Sequence, residues 1–150
     1  MIIVLQRVKE ARVVVNDRVV GSIGRGLCLL VAIEKGDEEE AADYLARKVV
    51  ELRIFSDENQ KMNLSLKDVG GGILAISQFT LAGSVRKGRR PSFDRAETPE
   101  KAAALFNYFL DRLREQGIKV ESGIFQAMMD VYLVNEGPVT FILDTKEKNL

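Results

Sequence analysis

Along the first third of the chain, apolar residues fall in short β-branched runs broken by single polar or charged positions. "MIIVLQRV" and "ARVVVNDRVVGSIG" both have this texture, and Asn16-Asp17 stands between valine runs as the two-residue turn of a hairpin does. "GRGLCLLVAIEKGD" continues without alternation, which predicts a strand buried on both faces. Four strand-like pieces therefore precede any helix. The period then changes. In "GDEEEAADYLARKVVELRIF", Ala41, Tyr44, Leu45, Val49 and Leu52 share one face at helical spacing. Asp37 is the expected N-cap, with Glu40 three positions on completing a capping box, and the acidic run Glu38 to Glu40 complements the helix dipole.

The second half repeats the alternation of texture. "SDENQKMN" reads as a turn or loop, and "DVGGGILAISQFTL" as a glycine turn feeding a strand from Ile73 to about Gln78. "AGSVRKGRRPSFDRAET" has no hydrophobic period and predicts a long loop. Thr98-Pro99 opens a helix as N-cap and first helical residue. Leu105, Phe106, Phe109, Leu110 and Leu113 form its apolar stripe, and Gly117 ends it. "IKVESG", "AMMDVYLV" and "VTFILD" are the last predicted strands, and residues 145–150 a polar tail. The pattern predicts one strand-rich α+β domain over residues 1–150 with two main helices.

Composition narrows the chemistry. A chain of 150 residues with 46% hydrophobic and 29% charged positions builds a core without a metal or disulfide staple. Its longest apolar run, "LCLLVAI", is too short to span a bilayer, and the N-terminus lacks the features of a signal peptide, so a cytoplasmic protein is expected. Cys28, inside that run, reads as a small buried hydrophobe. There is no histidine, which excludes Ser-His-Asp and Cys-His catalysis and His-rich metal sites. Any general base must be a carboxylate, an amine, a water or a group of the substrate. With 22 basic and 22 acidic residues, attraction to nucleic acid requires a local patch.

Three stretches stand out from scaffold. "SQFTLAG" ends a hydrophobic strand in Ser77, Gln78 and Thr80, where polar groups are fixed by the strand yet meet solvent. An ordinary strand exit has the same composition. "RKGRRPSF" places Arg86, Lys87, Arg89 and Arg90 around a glycine, a cluster suited to phosphates, with Phe93 able to stack on a base; a solvated loop is the competing reading. "NEGPVTF" puts Gly137-Pro138 between two strand-like runs, where proline is tolerated only at starts, edges and bulges. The minority of Xaa-Pro bonds that are cis mark tight, functional turns, which makes this pair a candidate for one, and Gly137 lets backbone approach a ligand; an ordinary turn is the competing reading.

Taken together, "SQFTLAG…RKGRRPSF…NEGPVTFILD", with "QRV" at Gln6 to Val8, "EKGD", "YLARKVVELRIF" and "KMNLSLKDVGG", resemble the D-aminoacyl-tRNA deacylase family from Met1 to Asp144. Two departures are Ala32, where glycine is more usual, and "GIFQAMMD", which alters the pocket wall near Phe125 and Met129. The resemblance implies a curled or barrel-like mixed β-sheet and a homodimer without metal or cofactor. It implies hydrolysis of the ester joining a D-amino acid, or glycine, to the terminal adenosine of tRNA. Gly137 and Pro138 would form a chirality filter reaching into the pocket of the other subunit, with Asn135 beside them and Arg7 bracing them from behind. Ser77, Gln78, Phe79 and Thr80 would form the catalytic centre. In it, Ser77 would hold the adenosine or the reacting end, and backbone N–H groups around Phe79 and Thr80 would meet the oxyanion. No evident base accompanies Thr80, so hydrogen bonding or pocket shape is expected of it rather than nucleophilic attack. Arg86, Lys87, Arg89 and Arg90 would touch tRNA phosphates. A non-catalytic nucleic-acid-binding module, and a hydroxyl-nucleophile hydrolase of small esters or amides, are the alternatives. The first leaves the Ser-Gln-Phe-Thr and Gly-Pro motifs idle.

Overall fold

In the computed structural model, which describes residues 1–147, a long first strand organises the molecule. Strand β1 (Ile2–Val15) pairs through its first half with β3 (Gly26–Ala32), through its second half with β2 (Arg18–Ile23), and along its other edge with β8 (Asp130–Asp144). The two predicted N-terminal pieces are thus one strand, and three strands rather than four precede the first helix. β8 pairs with both halves, and its ladder with β1 is irregular only across the polar stretch Gln6 to Glu10, where the register shifts on either side of Val8. The β1–β2 hairpin turns at Asn16 and Asp17, whose φ values of 49° and 62° are those of the predicted tight turn.

β6 (Gly72–Ser77) adds to β3 in parallel and β7 (Val120–Ser122) to β6 in parallel, giving a mixed sheet in the order β2-β1-β3-β6-β7. The sheet curls until β2 lies against β7, so the barrel is nearly closed. β3 explains its own lack of alternation. Leu27, Leu29 and Val31 face the main core under the helices, while Cys28 joins Val8, Val13, Leu74 and Ile76 in a second cluster on the other face.

Helices α1 (Glu39–Glu51) and α3 (Pro99–Glu115) pack together on that main core. α3 buries the five residues predicted for its stripe, and Gly117 follows it with φ 82°. α1 is rotated from the expected face. It buries Ala42, Leu45, Ala46, Val49 and Val50, while Ala41, Tyr44 and Leu52 are only partly covered. The small alanines permit close approach to α3, a contact invisible to a pattern taken one helix at a time. The predicted capping box is absent. Glu38 is the N-cap without a side-chain bond, because the Asp37 carboxylate is taken by the Met1 ammonium (2.7 Å) and the Glu34 N–H (2.7 Å).

The turn expected at "SDENQKMN" joins two short strands that the pattern did not show, β4 (Phe55–Ser56) and β5 (Met62–Leu64), and the short helix α2 (Leu66–Val69) follows. α2 has the true capping box, formed by Ser65 and Asp68. Finally, "AMM" lies outside any strand, and "VYLV" and "TFIL" are two ends of the single strand β8. Gln6 pairs with Thr140 and Val8 with Asn135, so residues 136–139 bulge out opposite Arg7 alone. The tail begins with Thr145, which bonds to Met1, and its last residues lie outside the described part.

Candidate active site

β6 carries Ser77 to the rim of the sheet and there ceases to be a strand. Gln78 N–H donates to Val31 O at 2.7 Å, tying the chain to the end of β3 as it enters a 3-10 turn, Phe79–Ala82. Leu81 N–H, donating to Gln78 O at 3.2 Å, is the first donor satisfied inside that turn. The amides of Phe79 and Thr80 precede it and have no carbonyl partner within the turn, as the first donors of any helical turn do not. The Thr80 hydroxyl accepts from the Gln78 side-chain amide. Among the described residues no carboxylate or amine is hydrogen-bonded to it.

Across from this strand end, the segment after β7 supplies the opposite wall. Phe125 is half-buried and packs on Phe106 of α3, ring centroids 6.5 Å apart, which anchors the wall to the core. Met129 stands beside it. Ser77, Gln78, Phe79, Thr80, Phe125 and Met129 thus line one cleft of about 640 Å³. Sequence reasoning missed Glu97, Pro99, Gln126 and Met128 on the same walls. Met128 is 91% exposed, and its only signal was an apolar residue too many in "AMM".

The other candidates lie elsewhere. Gly137 and Pro138 are exposed, joined by a cis peptide, and do not line the cleft. Strands β8, β1, β3 and β6 lie side by side, and the bulge is level with Arg7, Leu27 and Ile73, four residues short of Ser77. Three strand spacings and four residues separate the bulge from its own cleft by on the order of 15–20 Å. The bulge is firmly held. Arg7, 8% exposed, donates through Nε to Glu136 O (3.1 Å) and through Nη1 to Ile54 O (2.8 Å). Asn135 spans the bulge's base, accepting from Val139 N–H at 3.0 Å and donating to the Thr140 hydroxyl at 2.9 Å. Gly137 has φ +129°, and a Cβ there would stand 2.9 Å from Val139 Cγ2 and 3.1 Å from Arg7 Nη2.

The basic loop forms a third region. Ser84 and Ser92 exchange both backbone hydrogen bonds (2.8 and 2.9 Å), closing residues 85–91 into a tip on which Arg86, Lys87, Arg89 and Arg90 are all exposed. Arg86 and Lys87 line a separate cleft with Ser84, Ser92, Asp94 and Arg95. The loop's return is secured by Glu34, a carboxylate with no exposure that faces Arg95 Nη1 (3.5 Å), Lys146 Nζ (3.1 Å) and the Met1 ammonium (3.8 Å). Nothing in "EKGD" marked Glu34 as buried. Cys28 is inert by position, its thiol pushed up to about 11 by burial.

A strand-end hydroxyl and amide set thus faces an apolar wall, with an exposed cationic loop alongside. Residues 4–144 match the family model described as D-Tyr-tRNA(Tyr) deacylase. A D-aminoacyl-tRNA deacylase of Koribacter versatilis is 56% identical over 145 residues, covering 97% of each chain. One from Geobacter metallireducens is 60% identical over 142 residues, covering 95% of this chain and 94% of its own. Among solved structures, a c-Myc DNA unwinding element binding protein superposes with TM-score 0.91 at 38% identity, covering 98% of this chain and all of that one. A probable eukaryotic D-amino acid tRNA deacylase superposes with TM-score 0.82 at 22% identity over 95% of this chain and 97% of its own, which speaks for the fold alone. The chain belongs to the D-Tyr-tRNA(Tyr) deacylase family. It is accordingly a hydrolase acting on carboxylic ester bonds.

Proposed function

We propose that the cleft hydrolyses the ester linking a D-aminoacyl or glycyl group to the terminal adenosine of tRNA, and that the Gly137–Pro138 bulge of a second copy completes it as the filter against L-aminoacyl esters. The observation that carries this reading is the placement of the two halves. The bulge is exposed, braced by Arg7 and Asn135, and lies on the order of 15–20 Å from the cleft of its own chain, so it meets a cleft only through a partner. β8 offers the means of pairing. Its outer edge is unpaired among the described residues, and Tyr132, Val134, Phe141 and Ile142 are exposed along it. A long apolar edge of that kind is covered in stable proteins.

The chemistry needs no histidine. An aminoacyl ester is already activated, and the neighbouring ribose hydroxyl assists attack. What the protein contributes is position and donors for the developing oxyanion, which the amides of Phe79 and Thr80 supply. Thr80 takes part through its hydrogen bond to Gln78, not as nucleophile. Ser77 holds the adenosine end, Phe125 and Met129 shape the wall, and the carbonyls beside Gly137 and Pro138 receive the α-amino group. A rigid wall selects by exclusion, which a braced bulge provides and a free loop does not. Arg86, Lys87, Arg89 and Arg90 hold the tRNA backbone. The substrate sets the working compartment as the cytoplasm.

The test is deacylation of matched D-Tyr-tRNA, L-Tyr-tRNA and Gly-tRNA by the purified protein with chelator present. Rapid loss of the D and glycyl esters with the L ester spared supports the reading. Survival of all three esters while tRNA still binds favours the non-catalytic binding module instead.

A further inference from the structure

Phe79 and Phe93 form an aromatic pair on the outer surface, between the cleft and the basic loop, and the proposed reaction gives the second of these rings no part. Their centroids are 5.0 Å apart at an interplanar angle of 58°, and they remain 57% and 39% exposed. Two large apolar rings left this open at the mouth of a site are unusual for scaffold. The arrangement is also built rather than incidental. A Cβ on Gly83 would stand 2.9 Å from Phe93 Cε1 and 2.9 Å from Thr80 O, so glycine there admits the ring against the turn that carries Phe79. The Ser84–Ser92 bridge fixes Phe93 at the base of the loop, and the Ser92 hydroxyl donates to Asp94 at 2.7 Å.

We infer that the Phe79–Phe93 pair is a stacking site for the base of the nucleotide preceding the terminal adenosine, with Arg86 and Lys87 taking the phosphates beyond it. This rests on the deacylase reading and extends it to a second nucleotide. The geometry sets the path of the strand. Phe79 belongs both to the cleft and to the pair, so a chain leaving the cleft at the adenosine passes over Phe93 before it reaches the cationic cleft lined by Arg86, Lys87 and Arg95. Aromatic faces combined with adjacent cations are how single strands are held without reading sequence. The site therefore takes any base and distinguishes substrates by strand length instead.

The test compares D-tyrosyl esters of adenosine, of a dinucleotide ending in adenosine, and of the same dinucleotide with the first base removed. Wild-type kcat/KM is expected to rise roughly 5- to 150-fold from adenosine to dinucleotide, the range that stacking of one base gives, and to lose most of that rise without the base. Phe93→Ala, with Phe93→Leu as the milder variant if alanine impairs folding, is expected to abolish the rise while hydrolysing the adenosine ester at the wild-type rate. Equal kcat/KM for the three esters with wild type overturns the inference, as does an equal loss on all three with the variants. A change of oligomeric state in Phe93→Leu by sedimentation also overturns it, since the pair then serves an interface between copies. Failure of wild type on D-Tyr-tRNA itself is a separate result and refutes the deacylase reading.

Discussion

Removing the Arg7 guanidinium tests how firmly the Gly137–Pro138 bulge is held. The group is nearly enclosed and makes two directed hydrogen bonds, to Glu136 O at 3.1 Å and to Ile54 O at 2.8 Å. The Glu136 carboxylate, 3.8 Å away and itself about one-third exposed, adds little. Hydrogen bonds to a charged donor contribute about 1.5–3 kcal/mol each, and the Ile54 carbonyl is buried where water does not readily replace the donor. Relief of the guanidinium's own desolvation offsets part of the loss. Arg7→Ala is therefore expected to cost about 3 kcal/mol, a fall in Tm of roughly 6–12 °C for a chain of this size. Arg7→Lys keeps the charge but not the fork, so it retains at most one of the two bonds and loses about half as much. The assay is urea unfolding followed by circular dichroism, with deacylation of D-Tyr-tRNA and L-Tyr-tRNA measured well below the midpoint. Selectivity between D and L esters is expected to fall in both variants while they are still folded. An Arg7→Ala protein within about 1 kcal/mol of wild type, with unchanged selectivity, would refute the bracing argument.

Gly137→Ala should reduce hydrolysis of D esters, because its φ of +129° and the approach to Val139 and Arg7 oppose any side chain; unchanged rates would place Gly137 away from the substrate. Neutralising Arg86, Lys87, Arg89 and Arg90 together should raise KM for tRNA and flatten its salt dependence by about 0.7–0.9 for each phosphate no longer neutralised, and an unaltered salt slope would show that the loop does not touch tRNA. The Cys28 thiol, pushed up to about 11 by burial, should resist a neutral disulfide reagent at mildly alkaline pH in the native protein and react once unfolded; prompt native-state reaction would contradict its burial. The Asp68 carboxyl is held below the ordinary range chiefly by the Ser65 N–H. Its contribution to stability is present above the unfolded carboxyl pKa and is lost as pH falls through the folded value, so Asp68→Asn should destabilise near neutrality and match wild type in strong acid, as pH-dependent unfolding would record.

Much of this was legible in residue order. The α3 stripe, the Asn16-Asp17 turn and the two-faced burial of β3 follow from local period and turn chemistry. The face of α1 was not legible, because it depends on where α3 lies. The continuity of β1 and of β8 was hidden for a related reason. Each strand's polar middle is stabilised by the other, across a ladder of residues far apart in the chain. At the site, Ser77 to Thr80, Phe125 and Met129 share a cleft while Gly137 and Pro138 lie away from it, a separation that the family resemblance implied and that local residue patterns do not carry, because it depends on the strand order. Glu34 left no trace in the pattern, since a charged residue beside a glycine turn predicts exposure, whereas three cations keep this one buried.

Subunit complementation tests most directly whether the cleft is completed by a partner's bulge. Ala127→Trp, which fills the cleft, and Gly137→Val, which obstructs the bulge, should each be inactive on D-Tyr-tRNA as pure proteins. After unfolding, mixing in equal amounts and refolding, half the dimers are mixed, and each mixed dimer holds one site with wild-type cleft and wild-type bulge. Activity should return to about one quarter of the wild-type value. No recovery, with mixed dimers confirmed by mass spectrometry, would mean that bulge and cleft do not meet across an interface.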